Sequence, residues 1–348
     1  MTIKTKGYAA KSATSPLTPF EFEYQDPAEN EIQIEVEFCG ICHSDIHQAR
    51  DEWGGSIFPM VPGHEIVGKV KSLGSRVTKF KVGERVGVGC MVESCQTCGS
   101  CKESLEQYCE KGFTPTYNGL YRETKKPTKG GYATQIVVDQ NFVLKIPDGL
   151  DPAGAAPLLC AGITTYSPMK FVGVSRGQKI GVLGLGGLGH MAVKLANSFG
   201  AEVTVLSGSP SKKDDAKRLG AQHFALTKNE DEMTKLENHF DLIIDTVAAK
   251  HDVNQALELL KRQGTLVMVG ISDKPLDLGV FGLVMKRRKI MGSLIGGIRE
   301  TQEMLDHCGK HKITSDVEVI KAAQINEAYE RTVKGQVRYR FVIDSKSY

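Results

Sequence analysis

The apolar run Lys179-Ile180-Gly181-Val182-Leu183 passes without a break into Gly184-Leu185-Gly186-Gly187-Leu188-Gly189. A stretch with helical spacing, Leu188 to Phe199, follows at once. A short strand that ends in a glycine turn and restarts as a helix is the local pattern of a dinucleotide-binding unit. Gly184 permits the tight turn, and Gly186 lets backbone N–H groups approach a pyrophosphate at the helix N-terminus. Gly189 allows close packing of helix on strand, while Gly187 and Leu188 complete the loop. Glycine supplies 37 residues of the chain, so the spacing alone is weak. Its place between strand and helix makes it informative.

The surrounding sequence repeats that alternation. Glu202 to Leu206 reads as a strand, Ser211 to Leu219 as a helix, Phe240 to Ile244 as a strand, Asn254 to Lys261 as a helix and Thr265 to Val269 as a strand. Lys289 to Ile295 offers one strand more. Strand and helix in turn predict a parallel, doubly wound α/β sheet. Before about Pro152 the texture differs, with short runs at Ile32 to Phe38, Ile66 to Lys71, Arg85 to Gly89 and Thr134 to Val138 closely punctuated by Gly and Pro. That predicts an irregular, mainly β domain. The tail returns to mixed character, with a helix near Glu300 to His307 and a strand near Tyr339 to Ile343. The expected division is therefore 1–153, 154–296 for nucleotide binding, and 297–348 rejoining the first domain.

At the end of the second strand, enzymes that use NAD usually carry Asp or Glu for the ribose hydroxyls. Here the position is Ser207, in Ser207-Gly208-Ser209-Pro210-Ser211-Lys212. A carboxylate would repel the 2′-phosphate of NADP, whereas the hydroxyls of Ser207 and Ser209 and the Lys212 ammonium can bind it. Such a loop is often merely solvated, but at this offset from the glycines it predicts NADP(H).

Nine cysteines need a reason in a chain of 348 residues, and six of them fall between Cys90 and Cys160. Residues Met1 to Lys11 lack the apolar core of a secretory signal, and no run is long enough to span a membrane. A cytoplasmic, reducing location is expected, which disfavours disulfides and favours metal. Cys95, Cys98, Cys101 and Cys109, at C-x2-C-x2-C-x7-C, can turn four thiolates towards one ion. A shell closed by four thiolates has no place for water and is structural. Other sulfur and imidazole groups are scattered. Cys160 taken alone reads as a small buried hydrophobe, and His64 beside Glu65 could be a surface pair. Gly63-His64-Glu65 does lie on a tight turn before a strand.

Several motifs in order carry a family resemblance: Cys39-Gly40-Ile41-Cys42-His43-Ser44-Asp45, Pro59-Met60-Val61-Pro62-Gly63-His64-Glu65, Gly130-Gly131-Tyr132-Ala133, Pro157-Leu158-Leu159-Cys160-Ala161-Gly162, the glycine loop and Arg338-Tyr339-Arg340-Phe341. The chain resembles the zinc-dependent medium-chain alcohol dehydrogenases, specifically the cinnamyl alcohol dehydrogenase group. The resemblance implies a GroES-like, mainly β catalytic domain beside a Rossmann domain, two zinc ions per chain and NADP(H). It implies a catalytic zinc on Cys42, His64 and Cys160, with Glu65 as a fourth or exchangeable ligand. Asp45 would support His64, and Arg340 would hold Glu65 when it is off the metal. Cys95, Cys98, Cys101 and Cys109 would form the structural site. Cys39, Cys90 and Cys308 match no ligand position and are expected to pack. The implied reaction interconverts primary alcohols and aldehydes, with Ser44 taking the substrate proton and His47 passing it on. His47 could instead hold only the loop or the cofactor. A homodimer joined near Lys289 to Ile295 is also implied.

Plant lignin-pathway members carry a tryptophan shortly after the last structural cysteine, where this chain has Gly112-Phe113-Thr114-Pro115. Its only tryptophan, Trp53, could face the substrate pocket or be a buried structural aromatic. Two rivals make different demands. A catalytically silent relative should have lost a ligand, and none is missing. A zinc-ribbon module for nucleic acid should be strongly basic, but 44 basic residues are offset by 41 acidic ones, so no nucleic-acid partner is expected.

Overall fold

The computed structural model describes residues 2–272 and 274–348; Met1 and Asp273 lie outside the described residues. The chain forms two compact units: residues up to Ile163 with Gly296–Tyr348, and Thr164–Ile295.

Among the described residues of the second unit, six strands form one parallel sheet in the spatial order His223–Leu226, Glu202–Ser207, Lys179–Leu183, Phe240–Asp245, Leu260–Met268, Lys289–Gly292. Its central strands are continuous apolar runs because both faces are covered. Val182, Val203, Val205, Ile243, Ile244 and Val267 are fully buried. The sequence order reverses direction on either side of Lys179–Leu183. In an open α/β sheet that switch point leaves a crevice at the carboxyl ends of the strands, where ligands bind. The helix Gly189–Ser198 starts there, burying Met191, Ala192, Val193 and Leu195. Asp252 caps the helix Val253–Leu259 by accepting from the Asn254 and Gln255 N–H groups. That helix ends two residues before the expected Lys261, because Leu260 already pairs with Phe240. Ser211 and Lys212, expected to open the helix, belong instead to the 3₁₀ turn Pro210–Lys212 before the helix Lys213–Leu219.

The first unit is built on a sheet of seven strands among the described residues, in which Glu31–Gly40 is the hub. It pairs with Ile66–Leu73, Gln135–Asp139 and Arg340–Asp344, all antiparallel. This sheet brings the end of the strand before Cys42, the start of the strand after Glu65 and Arg340 side by side, with Cys39 opposite both Ile66 and Ile343. Among the elements that carry no sequence expectation are the hairpin of Thr2–Ala9 and Thr18–Gln25, the helix Ala161–Val172 and the helix Ile325–Val333. The segment that carries Cys95, Cys98, Cys101 and Cys109 holds the short helix Gly99–Lys102. No helix among the described residues is long and apolar enough to cross a membrane.

Candidate functional site

The four-cysteine set is local. Cys98 precedes the helix Gly99–Lys102 and Cys101 lies on it, and the turn Glu106–Tyr108 leads into Cys109. One sulfur from each of Cys95, Cys98, Cys101 and Cys109 lies within 4.8 Å of every other. Cys95 Sγ and Cys101 Sγ are 3.9 Å apart. Sulfurs at tetrahedral vertices about 2.3 Å from zinc are separated by about 3.8 Å, so these residues fit a zinc ion. Backbone N–H groups point at the sulfurs, Cys95 N–H to Cys109 Sγ at 3.5 Å and Cys98 N–H to Cys95 Sγ at 3.4 Å. Hydrogen bonds from the Thr97 and Cys98 backbone pull the Cys95 thiol down to about 5, favouring the ligating thiolate.

The second set draws on three distant segments. Cys42 opens the helix His43–Ala49, and Asp45 on its first turn accepts from the Cys42 N–H at 2.8 Å, a capping-box contact. Gly63, at φ +105°, turns the chain so that His64 and Glu65 enter the sheet at Ile66. Cys160 follows the turn Ala156–Leu159. Cys42, His64, Glu65 and Cys160 place one donor atom each within 4.8 Å of every other. Cys42 Sγ and Cys160 Sγ are 3.9 Å apart, again a zinc edge length. The thiol hydrogen bond between them holds Cys42 well below its usual value and Cys160 well above it. His64 and Glu65 are buried, not a surface pair, and Cys160 is buried among these donors.

Glu65 is fully buried and its two oxygens differ. Oε1 accepts from Arg340 Nη2 in a short ion pair, and Arg340 also donates to the Ile41 carbonyl at 2.9 Å. Oε2 is buried with no hydrogen-bond partner. Burial pushes the Glu65 carboxyl up to about 7 against the pull of the Arg340 guanidinium. A buried carboxylate with one orphaned oxygen, on a residue that gathers with two sulfurs and an imidazole, fits an exchangeable metal ligand. Space for it exists only because residue 40 is glycine, since a Cβ there would lie 1.9 Å from Oε2.

The glycine loop divides its tasks in space. Gly184 has φ +91°, and a Cβ on Gly189 would meet the Gly184 carbonyl oxygen at 2.2 Å. A Cβ on Gly186 would meet nothing within 4 Å, so its face is left open to a ligand. Gly184 and Ser207 line a cavity of about 270 Å³ with Gly208, Thr227, Val247 and His251. Ser207 Oγ accepts from the Ser209 N–H at 3.2 Å, and the Ser209 and Ser211 hydroxyls are 3.0 Å apart. Ser209 and Lys212 are not among the lining residues.

A model of the alcohol dehydrogenase GroES-like domain matches residues 28–148, and one of the zinc-binding dehydrogenase matches residues 187–310. The chain is 52% identical to NADP-dependent alcohol dehydrogenase C 1 of Mycolicibacterium smegmatis over 98% of its length and 97% of that protein. It is 49% identical to an aldehyde reductase of Escherichia coli K12 over 99% of both. The solved structure of a cinnamyl alcohol dehydrogenase from Sorghum bicolor superposes with a TM-score of 0.96 at 44% identity, covering 99% of this chain and 98% of that one. The chain belongs to the zinc-binding alcohol dehydrogenase family.

Within a zinc-binding alcohol dehydrogenase the remaining neighbours acquire context. Ser44 Oγ is 3.7 Å from Cys42 Sγ. His47 Nδ1 makes a short contact with the Glu52 carboxylate, and the Trp53 ring stacks on His47 at 4.8 Å. Trp53 is 44% exposed, so it is not a buried structural aromatic. Cys39 and Cys308 are fully buried, whereas Cys90 is partly exposed with its thiol 3.7 Å from the Leu159 carbonyl. Sequence reasoning passed over Glu52, Tyr132, Tyr329 and the pair of buried Asp245 with half-buried His251, whose Oδ2 and Nε2 are 2.6 Å apart. Tyr132 sits inside a quoted motif, but nothing in the residues around Tyr329 signals a site.

Proposed function

We infer that this chain is a zinc-dependent oxidoreductase that uses NADP(H) to interconvert primary alcohols and aldehydes, aromatic or aliphatic, with broad specificity. The observation that carries this is the convergence of Cys42, His64, Glu65 and Cys160 with one Glu65 oxygen unpartnered. A catalytic metal needs such a set, closed enough to hold the ion and open enough to exchange one position. When bound, zinc supplies a Lewis acid for the substrate oxygen, and NADP(H) gives or takes the hydride.

The chain's own residues do the rest. The Cys42 and Cys160 sulfurs and His64 would hold the ion, and Asp45, 3.1 Å from His64 Nδ1, fixes the ring and leaves Nε2 available as the ligating nitrogen. Glu65 would be a fourth or exchangeable ligand, and Arg340 would hold it when it is off the metal. Ser44 accepts the substrate's hydroxyl proton, because one hydroxyl can accept and donate together. His47, kept in place by Glu52 and Trp53, delivers that proton to water. Cys95, Cys98, Cys101 and Cys109 hold a structural zinc that stabilises their loop. Gly184, Gly186, Gly187, Leu188 and Gly189 receive the pyrophosphate. Ser207, Ser209 and Lys212 receive the 2′-phosphate, a preference in line with the NADP dependence of the Mycolicibacterium smegmatis relative.

We assign nucleotide binding to 154–296 and catalysis to 1–153 with 297–348. A homodimer fits the edge strand Lys289–Gly292, which pairs on one side with Leu260–Met268, and the helix Val280–Val284 with Met285 after it, where Val280, Phe281, Val284 and Met285 are exposed. A second copy covering that apolar face is the partner we propose. Cysteines devoted to metal suit the reducing cytoplasm. The deciding experiment assays a panel of aliphatic and aromatic aldehydes with NADPH and with NADH, alongside metal analysis. Two zinc ions and NADPH-dependent reduction are expected. Reduction without zinc at the Cys42 set would overturn the assignment.

A further inference from the structure

The Asp45 carboxylate is fully buried, and both its oxygens are fully used. Oδ2 accepts from the Cys42 N–H at 2.8 Å and from the Tyr132 hydroxyl at 3.1 Å. Oδ1 accepts from the Gly63 N–H at 3.1 Å and faces His64 Nδ1 at 3.1 Å. A carboxylate has about four acceptor directions, and these four contacts fill them, while the Tyr117 hydroxyl, on a ring stacked against His64 at 5.7 Å, also interacts with Asp45. Two of the four contacts reach the segment that carries Cys42 or the ring of His64, a third reaches the turn before His64, and the fourth comes from Tyr132.

Tyr132 is tied to the same turn in two further ways. Gly130, Gly131 and Tyr132 donate their N–H groups to the carbonyls of Val61, Gly63 and Pro62 at 2.8–2.9 Å, so this segment templates the backbone that presents His64. Its ring packs against Gly63 so closely that a Cβ there would lie 2.7 Å from Tyr132 Cδ1. Behind it, the Tyr329 hydroxyl donates to the Tyr132 hydroxyl at 3.4 Å, and the two rings meet edge to face. Tyr329 comes from the helix Ile325–Val333, nearly two hundred residues away in sequence.

We infer that Tyr132, backed by Tyr329, is the positioning residue of the Cys42–His64 site, acting through Asp45 on both ligand-bearing segments at once. The inference rests on the proposed zinc site and deepens it. Burial pushes both phenols further above their ordinary range, so each keeps its proton and donates. Without the Tyr132 hydroxyl, Asp45 keeps its contacts to Cys42, Gly63, His64 and Tyr117 but loses the one from the segment that also templates the turn before His64. The carboxylate can then rock, and His64 with it. Removing a direct outer partner of a ligand typically costs about 10- to 100-fold in metal affinity. One bond further out, an effect of roughly 3- to 10-fold is expected.

The test follows zinc release from the purified protein to a chromophoric chelator. Wild type should release two ions in two phases, and Cys160→Ala should lack the phase belonging to the Cys42 set. If wild type lacks that phase, the zinc assignment itself fails, whatever the tyrosines do. Given two phases, Tyr132→Phe should accelerate only that one, by roughly 3- to 10-fold. The four-cysteine phase should stay at its wild-type rate. Tyr329→Phe should act in the same direction and more weakly, and the double variant should be no faster than Tyr132→Phe alone, because Tyr329 acts through Tyr132. With cobalt replacing zinc, Tyr132→Phe should also shift the visible absorption of the His64 site. Equal acceleration of both phases would mean a merely structural role and would overturn the proposal. So would a wild-type release rate in Tyr132→Phe, or full additivity in the double variant. Should Tyr132→Phe fail to fold, Tyr329→Phe alone decides, with selective acceleration supporting the proposal and none overturning it.

Discussion

Alanine substitutions at Gly186 and Gly189 should separate the two jobs of the nucleotide loop. At Gly189 a Cβ would sit 2.2 Å from the Gly184 carbonyl oxygen, against the 3.0 Å that real Cβ atoms respect, so strand end and helix start must part by at least about 0.8 Å. Both sides of that contact are backbone, which cannot rotate away. Overpacking of this kind costs about 3 kcal/mol, and for a domain of this size that lowers Tm by roughly 10 °C. Gly186 is different. Its φ is not in the left-handed region and nothing lies within 4 Å of an added Cβ, so Gly186→Ala should leave Tm within about 1 °C, as for a neutral surface change. A methyl there would, however, stand where the pyrophosphate must approach the N–H groups. Losing one charge-assisted hydrogen bond, about 1.5–3 kcal/mol, weakens NADPH binding roughly 10- to 100-fold. Thermal unfolding by circular dichroism and titration of nicotinamide fluorescence read the two quantities separately. Wild-type NADPH affinity in Gly186→Ala, or wild-type stability in Gly189→Ala, would refute the division of labour.

Three further outcomes are expected. Ser207→Asp places a carboxylate in the cavity beside Gly184 and Thr227. Repulsion of a phosphate charge about 5 Å away at an effective dielectric near 20 is about 3 kcal/mol, so the NADPH-to-NADH ratio of kcat/KM should fall on the order of 100-fold, and a change under threefold would remove Ser207 from the phosphate site. Cys160→Ala should lower zinc from two ions to one and abolish turnover with the fold retained, whereas Cys98→Ala should lower Tm because a closed site contributes folding free energy; elemental analysis and thermal melts check both, and an unchanged zinc count in either variant contradicts it. Ser44→Ala should lose most activity, while His47→Ala should lose about 100-fold and show a flatter pH profile for alcohol oxidation; near-wild-type turnover in Ser44→Ala that still binds NADPH would exclude it from the relay.

Much of the chemistry was legible in the chain because it is local. Cys95, Cys98, Cys101 and Cys109 fall within fifteen residues, so two short turns suffice to gather their sulfurs. The glycine loop declares itself through neighbours on either side, and Lys179–Leu183 appears at the limits its apolar run indicates. Boundaries failed where a tertiary partner outweighed local preference, as at Leu260, which continues the helical pattern yet pairs with Phe240. The helix Ala161–Val172 contains Pro168 and β-branched threonines, features that argue against helix unless packing supplies the difference. Cys42 and Cys160 stand 118 positions apart, and no periodicity can bring them together; only the motifs shared with a family hinted at the set. The order of the strands around Glu31–Gly40 decides it, by setting Cys42, Glu65 and Arg340 at one end of the sheet. The orphaned Glu65 oxygen, the four contacts of Asp45 and the reach of Tyr329 to Tyr132 belong to the tertiary structure alone. Hydrogen bonding acts over about three ångströms, and which groups come within that distance is settled only when distant segments pack.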